Sequence, residues 1–226
     1  MNQLPRFQEE YSAKIPALVV LNNLGWTFLS PQQALEARDN KLNEVVLKTI
    51  LYEALRKRRF TYAGKEYPLS DKSIDAIVAE MSMPALNEGL TKANERIYNH
   101  ILYGITVTEF IGGKKVNPTI PLIDWHDVEK NSFLFTEEFS VVGSTATRRP
   151  DIVCFVNGLP LVVIEAKRPD GKKGPTIEEG ISQHLRNQRL NEIPQLFAYS
   201  QLLLSINGVS GSYGTQGTDA TFWATW

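Results

Sequence analysis

The segment at residues 147–169, TRRPDIVCFVNGLPLVVIEAKRP, constrains the fold more than any other part of the sequence. It contains two apolar runs, Ile152–Val156 and 159–164, separated by Asn157-Gly158. Asn-Gly between such runs is the strongest short signal of a β-hairpin. Neither run alternates apolar with polar residues, which is typical of strands covered on both faces. The sequence therefore predicts a hairpin in the middle of an α/β sandwich.

Three charged residues, Asp151, Glu165 and Lys167, interrupt this apolar segment. Side chains at i and i+2 of a strand share a face, so Glu165 and Lys167 point the same way, roughly 6.6 Å apart. A two-residue turn would pair Val156 with Leu159 and leave Asp151 on the opposite face. A three-residue loop or one β-bulge shifts the pairing by one residue and sets Asp151 across from Glu165. Cooperation of the three charges requires that shift.

Two carboxylates on one poorly solvated face raise each other's pKa, and burial adds to the cost. A hard divalent cation removes this conflict. Mg²⁺ keeps several waters and is commonly bound by one or two carboxylates and a phosphate oxygen. It lowers the pKa of a bound water and polarises a phosphoryl group, while Lys167 could orient or deprotonate that water. The pattern predicts a phosphodiesterase site with Asp151 and Glu165 as metal ligands, and the plainer alternative is a structural salt bridge.

The residues Pro150-Asp151 and Glu165-Ala166-Lys167 resemble the PD-(D/E)xK nuclease pattern. Together with QLFAYSQLLLSING at residues 195–208, the segment resembles the amino-terminal nuclease domain of the restriction (R) subunit of type I restriction-modification enzymes. The resemblance is clearest from about residue 133 to 214. It implies an α/β fold: a mixed, largely antiparallel central sheet flanked by helices, with a restriction-endonuclease-like core and a helical amino-terminal part.

The same resemblance implies a Mg²⁺-dependent type I site-specific deoxyribonuclease that hydrolyses phosphodiester bonds in unmodified foreign DNA. Its partners would be double-stranded DNA and the modification and specificity subunits. Cleavage would follow ATP-driven translocation by domains absent from this chain, since GKKGPT at residues 171–176 lacks the P-loop spacing. The alternative of another class is a non-catalytic DNA-binding or subunit-docking module that retains the nuclease fold.

A Gln-x-x-x-Tyr motif often follows on a helix in the family. Residues 176–189 have helical spacing, and Gln183 stands where the family glutamine is expected, although Asn187 replaces the tyrosine. A literal match, Gln195 to Tyr199, comes later and is the second choice. We therefore assign Gln183 to support of the lysine or the scissile phosphate. In related nucleases a glutamate of the first helix also approaches the metal, and Glu10 is the candidate here.

Basic residues on both sides of the acidic pair are candidates for contacts with the DNA backbone. Arg148 and Arg149 precede Asp151, and Lys172 and Lys173 lie in a glycine-flanked loop after the second strand. Solvation of the loop is an equal alternative for the two lysines. The basic run at residues 56–59 is interpreted instead as a solvated helix end, favoured by the helix dipole.

The overall charge and cysteine content exclude several kinds of protein. The formal net charge is −1, so the chain lacks the global basic field of a free-standing DNA-coating protein. A single cysteine rules out an internal disulfide framework. The sequence shows neither a signal peptide nor an apolar run of about 20 residues that would span a bilayer. We expect a cytoplasmic protein without membrane contact.

We expect one nuclease domain over residues 1–226. Residues 1–103 would be mainly helical, residues 104–214 would form the catalytic sheet and its flanking helices, and residues 215–226 would be the mobile end of a truncated chain. Hydrophobic spacing predicts helices at 6–24, 42–59, from 70 and at 86–101, and strands at 26–29, 105–111, 120–123, 132–141 and 201–206.

Overall fold

A seven-stranded mixed sheet forms the centre of the protein, whose computed structural model describes residues 13–169 and 176–226. The strands, in chain order, are β1 (Thr27–Phe28), β2 (Arg59–Tyr62), β3 (Lys65–Pro68), β4 (Ile105–Thr106), β5 (Glu109–Ile111), β6 (Lys114–Val116), β7 (Thr119–Ile120), β8 (Phe133–Glu137), β9 (Val141–Val142), β10 (Thr147–Arg148), β11 (Ile152–Val156), β12 (Leu159–Ala166), β13 (Leu202–Ile206), β14 (Gly211–Gly214) and β15 (Ala224–Thr225). The central order is β1-β8-β11-β12-β13-β14-β15, with parallel pairs at β1–β8 and β12–β13 and antiparallel pairs elsewhere. The predicted mixed, largely antiparallel sheet is confirmed.

Seven α-helices surround this sheet in the described residues. They are α1 (Ile15–Asn23), α2 (Pro31–Glu36), α3 (Lys48–Arg56), α4 (Asp71–Ser82), α5 (Leu90–Tyr103), α6 (Ile177–Asn187) and α7 (Pro194–Phe197). Ser70 caps α4 by accepting a hydrogen bond from the backbone of Ser73. None of these helices is long and apolar enough to cross a membrane.

Both faces of the central hairpin are covered, as its unbroken apolar runs predict. All five residues of β11 are buried. One face, with Val153 and Val163, belongs to the large core that includes Ile181 of α6. The other face, with Cys154 and Ile164, packs against side chains of α1. Cys154 therefore lies on the face predicted from its position, opposite the face that carries the charged residues.

The segment at residues 42–68 differs from the prediction of one helix over 42–59. Helix α3 ends at Arg56, and the chain then forms the β2–β3 hairpin, whose turn residue Ala63 has a φ of +49°. Arg58 is 8% exposed and donates to Asp124 at 3.2 Å and to Asn131 at 3.1 Å. The interpretation of the basic run as a solvated helix end is wrong at Arg58, because these tertiary partners satisfy its charge.

The end of the chain, for which the sequence suggested mobility, forms the edge of the sheet. Strand β15 pairs with β14, and Trp223 is buried at 8% exposure. The indole stacks on His184 of α6 with ring centroids 5.4 Å apart, and its Nε1 donates to the carbonyl of Thr218 at 3.2 Å. Aromatic packing against α6 thus orders a segment whose glycine and threonine content indicated turns.

Candidate active site

The turn of the central hairpin has two residues. Asn157 and Gly158 have φ of +50° and +84°, and Val156 pairs with Leu159. Positive φ at both central positions is the requirement of a type I′ turn, which Asn-Gly meets best. By itself this turn would leave the acidic residues on opposite faces of the sheet.

A β-bulge at Leu161 changes that outcome. Without it Cys154 would pair with Leu161, but Cys154 pairs with Val162 instead. The register beyond the bulge, extended to Asp151, places this residue opposite Glu165. The shift that cooperation of the charges requires is therefore present in the structure.

The bulge brings Asp151, Glu165 and Lys167 together at one end of the hairpin. The Lys167 ammonium lies 3.4 Å from Glu165 Oε2 and 3.7 Å from Asp151 Oδ2. The amide of Ala166 donates to Asp151 Oδ2 at 2.8 Å, which fixes the aspartate side chain. The Lys167 amide donates to the carbonyl of Ile206 at 2.7 Å, so β13 holds the lysine backbone in place.

Glu165 lies in an environment that disfavours its charge. Its exposure is 5%, and that of Lys167 is 4%. Burial and, second, the charge of Asp151 raise the pKa of Glu165 to about 8, although Lys167 acts in the opposite direction. Near neutral pH the acidic pair therefore retains a proton unless a cation neutralises it.

A cavity of about 260 Å³ opens over these three side chains. Its remaining wall consists of Arg148, Arg149, Gln183, Arg186 and Asn187. Gln183 lies on α6, and its buried Oε1 has no hydrogen-bond partner among the described residues. An amide oxygen left unpaired beside a charged cavity is available to a ligand or a water. The structure thus places the predicted glutamine next to the acidic pair and the lysine.

Helix α6 approaches the sheet closely enough for Gln183 to reach this cavity. A Cβ at Gly180 would lie 2.1 Å from Ser205 Oγ and 3.5 Å from Glu165 Cβ. The hydroxyl of Ser205 donates to the carbonyl of Ile177 at 2.8 Å, which ties the first turn of α6 to β13. Only glycine allows this close approach of helix and sheet.

The second-choice motif lies elsewhere. Gln195 donates to the carbonyl of Val142 at 2.9 Å, and the buried Tyr199 hydroxyl donates to the carbonyl of Met81 at 2.7 Å. Neither residue lines the cavity. Both hold together parts of the fold, so the geometry favours Gln183 over the literal sequence match.

The predicted DNA-contacting residues have different positions. Arg148 and Arg149 line the cavity, but each forms an ion pair, with Glu192 and Glu138 respectively. Lys172, Lys173 and the metal-ligand candidate Glu10 lie outside the described residues.

Sequence reasoning missed Arg186 and Asn187 as cavity residues. The available signal was helical spacing, because Arg186 follows Gln183 by three positions and therefore lies on the same side of α6.

The residues present fit Mg²⁺ better than a metal that needs a full set of protein ligands. Among the described residues, no cluster of three or more His, Cys, Asp or Glu side chains could hold a metal ion. The acidic pair supplies two carboxylates, and Mg²⁺ commonly binds through one or two, with water and substrate phosphate completing its octahedron. The raised pKa of Glu165 also indicates a position where a cation would relieve repulsion.

A second cavity, of about 910 Å³, lies between α4, the end of α5 and β5. Of its acidic groups, Glu109 accepts from the amide and hydroxyl of Ser70, and Glu80 Oε1 lies 3.4 Å from His100 Nε2. The smaller cavity is therefore the better candidate for a catalytic site.

Comparisons with known proteins identify the family of the chain. A family model described as the type I restriction enzyme R protein N terminus matches residues 6–222. The chain is 26% identical over 218 residues to the MjaIXP endonuclease subunit of Methanocaldococcus jannaschii, named provisionally as a type I restriction enzyme; the match covers 95% of this chain and 20% of that protein. It is 26% identical over 212 residues to the type I restriction enzyme HindI endonuclease subunit of Haemophilus influenzae, covering 91% and 19%. The chain spans about a fifth of the length of these relatives.

Proposed function

Since the chain belongs to the family of type I restriction enzyme R protein N termini, we propose that it is a Mg²⁺-dependent DNA endonuclease domain of the PD-(D/E)xK type. The observation that carries the proposal is the bulge at Leu161, which sets Asp151 opposite Glu165 and within 4 Å of the Lys167 ammonium. A salt bridge of purely structural value would not need two carboxylates on the face of an open cavity.

Asp151 and Glu165 would hold the metal, which supplies a water of lowered pKa and polarises the phosphoryl group. Lys167, within 4 Å of both carboxylates, orients the attacking water or neutralises charge that develops on the phosphate. Gln183 offers its amide oxygen to the lysine or the water, and its amide N–H groups can donate to the scissile phosphate. Water attacks phosphorus in line and leaves 5′-phosphate and 3′-hydroxyl ends.

The larger assembly would supply what this chain lacks. The relatives are named as endonuclease subunits and are about five times as long. We propose that specificity for unmodified foreign DNA comes from modification and specificity subunits, and that cleavage follows ATP-driven translocation by domains outside this chain. The single cysteine fits a cytoplasmic location for this assembly.

The decisive test is Lys167→Ala in the full restriction complex. We expect double-strand cleavage to fall by at least about a hundredfold, the usual loss when a group acting in acid–base or electrostatic catalysis is removed. ATP hydrolysis and DNA binding should remain, because they depend on other parts of the assembly.

Lys65→Ala, a change at an exposed lysine of β3, is the matched control and should leave cleavage unchanged. Thermal melting of both variants separates loss of catalysis from loss of folding. Cleavage that survives the Lys167 substitution in a folded complex would contradict the proposal and favour a docking module.

A further inference from the structure

The three arginines that line the active-site cavity differ in their partners. Arg148 donates through Nε and Nη2 to the two carboxylate oxygens of Glu192, at 2.6 and 2.8 Å. Arg149 forms an ion pair with Glu138. Both guanidinium groups are therefore paired with carboxylates of the chain, and Arg149 shares Glu138 with Lys14.

Arg186 has a different environment. It is half-buried on α6, one turn after Gln183, and its Nε donates to Asn187 Oδ1 at 3.2 Å. In contrast to the other two arginines, it forms no ion pair with a carboxylate of the described residues. The pKa of Glu192 is lowered first by its hydrogen bonds with Arg148 and only to a lesser degree by the charge of Arg186. The contact with Asn187 uses one of the five N–H donors of the guanidinium. Arg186 thus brings to the cavity wall a positive charge that no carboxylate in residues 13–169 or 176–226 pairs with.

The charge balance of the cavity explains why such a group would be needed. Lys167 lies close to both carboxylates of the acidic pair, which attract its ammonium. A phosphodiester is an anion, so its approach to the same carboxylates is unfavourable without further positive charge. Guanidinium is suited to this role, because its planar donors match two phosphate oxygens and its charge persists at all relevant pH values.

We propose that Arg186 binds a non-bridging oxygen of the DNA phosphodiester at the site of cleavage and so positions the phosphate over Asp151, Glu165 and Lys167. The DNA substrate in this inference rests on the proposed function. Arg148 and Arg149 contribute less to phosphate binding, because DNA would have to compete with Glu192 and Glu138 for them.

The test is the salt dependence of DNA binding by the 226-residue chain with Arg186→Gln. The probe is a short labelled DNA duplex, in Ca²⁺ in place of Mg²⁺ to prevent cutting, over a series of salt concentrations. We expect the slope of log affinity against log salt to decrease by about 0.9, the value for one phosphate contact on B-DNA, equally for duplexes of different sequence. Arg189→Gln, an exposed change just beyond α6 and outside the cavity wall, should keep the wild-type slope.

Arg186→Lys is the second variant and keeps the charge without the planar donors. It should retain the salt slope and bind more weakly than the wild type. An unchanged slope in a folded Arg186→Gln variant overturns the inference, as do equal losses in the Arg186 and Arg189 variants. The inference is also overturned if the wild-type chain shows no salt-dependent binding of DNA at low salt. If Arg186→Gln does not fold, the inference is overturned by an Arg186→Lys variant that binds DNA as tightly as the wild type.

The result is separable from the proposed function. Lys167→Ala should keep the salt slope and lose cleavage. A reduced salt slope in Arg186→Gln would support the phosphate contact even if Lys167→Ala cleaved DNA fully. That cleavage would refute only the catalytic role of Lys167. Loss of cleavage in the Lys167 variant with no effect at Arg186 would refute only the present inference.

Discussion

Among single residues, Glu165 shows the strongest conflict between a side chain and its surroundings. Its pKa in the folded chain is about 8, against an ordinary value of 4.5, because of burial first and Asp151 second. Between these two values the folded state binds more protons than the unfolded state. The stability that this proton contributes is complete below pH 4.5 and is lost as the pH rises towards 8 and above.

Glu165→Gln should therefore flatten the dependence of stability on pH. The amide keeps the shape of the side chain and removes the charge that burial disfavours. Above about pH 8, in chelator, we expect the variant to be more stable than the wild type by roughly 1–3 kcal/mol. Urea unfolding at a series of pH values measures this difference. Glu66→Gln, an exposed change in β3, is the control, and its unfolding free energy should vary with pH as that of the wild type does. The same pH dependence in both variants would contradict the prediction.

Mg²⁺ should stabilise the wild type more than Glu165→Gln, which reverses the order of stability expected in chelator. A ligand that binds only the folded state stabilises it in proportion to the logarithm of its concentration. Added Mg²⁺ is thus expected to raise the melting temperature of the wild type and to have little effect on Glu165→Gln. Equal shifts in both proteins would show that Mg²⁺ binds elsewhere. This readout does not depend on DNA cleavage.

At the scale of elements, the position of α6 decides whether Gln183 reaches the acidic pair. Two contacts, one helical turn apart, fix that position. Gly180 allows the helix to lie against Ser205 of β13, and Trp223 from the end of the chain stacks on His184. A change at either contact should act on the site without touching a site residue.

Gly180→Ala should destabilise the chain although alanine is the better helix former. The propensity gain is about 1 kcal/mol, whereas a Cβ placed 2.1 Å from Ser205 Oγ must displace the helix or the serine, an overpacking cost of roughly 1–3 kcal/mol. We also expect reduced cleavage in the full complex, because Gln183 moves with the helix. Ser182→Ala, on the exposed side of α6, is the matched control. A Gly180 variant as stable and active as the Ser182 variant would contradict this account of the contact.

Trp223→Ala tests the other contact. Truncation of a buried aromatic side chain costs roughly 3–5 kcal/mol, and Trp223 is 8% exposed. Trp226, three residues later, is 83% exposed, so Trp226→Ala should change stability by no more than about 0.5 kcal/mol. Denaturant midpoints of the two variants give the comparison. Similar midpoints would mean that the end of the chain does not support α6.

Sequence patterns predicted the elements whose signals are local. The Asn157-Gly158 hairpin, its burial on both faces and the capped helix after Ser70 follow from residue type and spacing. The β2–β3 hairpin was missed, because the helical pattern before it extended through Arg59. The bulge was recognised as a requirement, but its position at Leu161 was not predictable, since cross-strand packing and not local preference selects the skipped residue.

At the scale of the whole molecule, the near-neutral charge limits what the chain can do alone. Its 24 basic and 25 acidic side chains leave little nonspecific attraction for DNA except at low salt, because that attraction depends on phosphate neutralisation by lysine and arginine. The ion pairs of Arg148 and Arg149 reduce that attraction further at the site itself. Delivery of DNA to the cavity would then fall to other parts of the assembly.

The isolated 226-residue chain should accordingly show weak or no cleavage of linear DNA in Mg²⁺. A gel assay with excess chain over DNA measures the activity, and the complete complex with ATP is the positive control. Robust cutting by the chain alone would refute the prediction, and loss of that cutting in Lys167→Ala would assign it to the described cavity.

Charge and composition are sufficient to indicate these limits, whereas the cavity itself was only partly predictable from the sequence. Asp151, Glu165 and Lys167 could be named from their spacing along two strands. Arg186 could not be distinguished from other helix arginines, because its lack of a carboxylate partner depends on which residues the fold brings near it. For the same reason the sequence did not show that Arg148 and Arg149 pair with carboxylates from other parts of the fold.

Because Leu161 has no partner on the opposite strand, the number of residues between Asp151 and Glu165 decides which face of the sheet the aspartate lies on. With the turn kept at two residues, inserting or deleting one residue in the strands between them would turn the aspartate to the face of Cys154, whereas a change of two residues would restore it. Among homologues that keep the two-residue turn, gaps in this interval should therefore be even in number wherever the nuclease is retained, and an odd gap would mark a lost activity, a turn of different length or a second bulge.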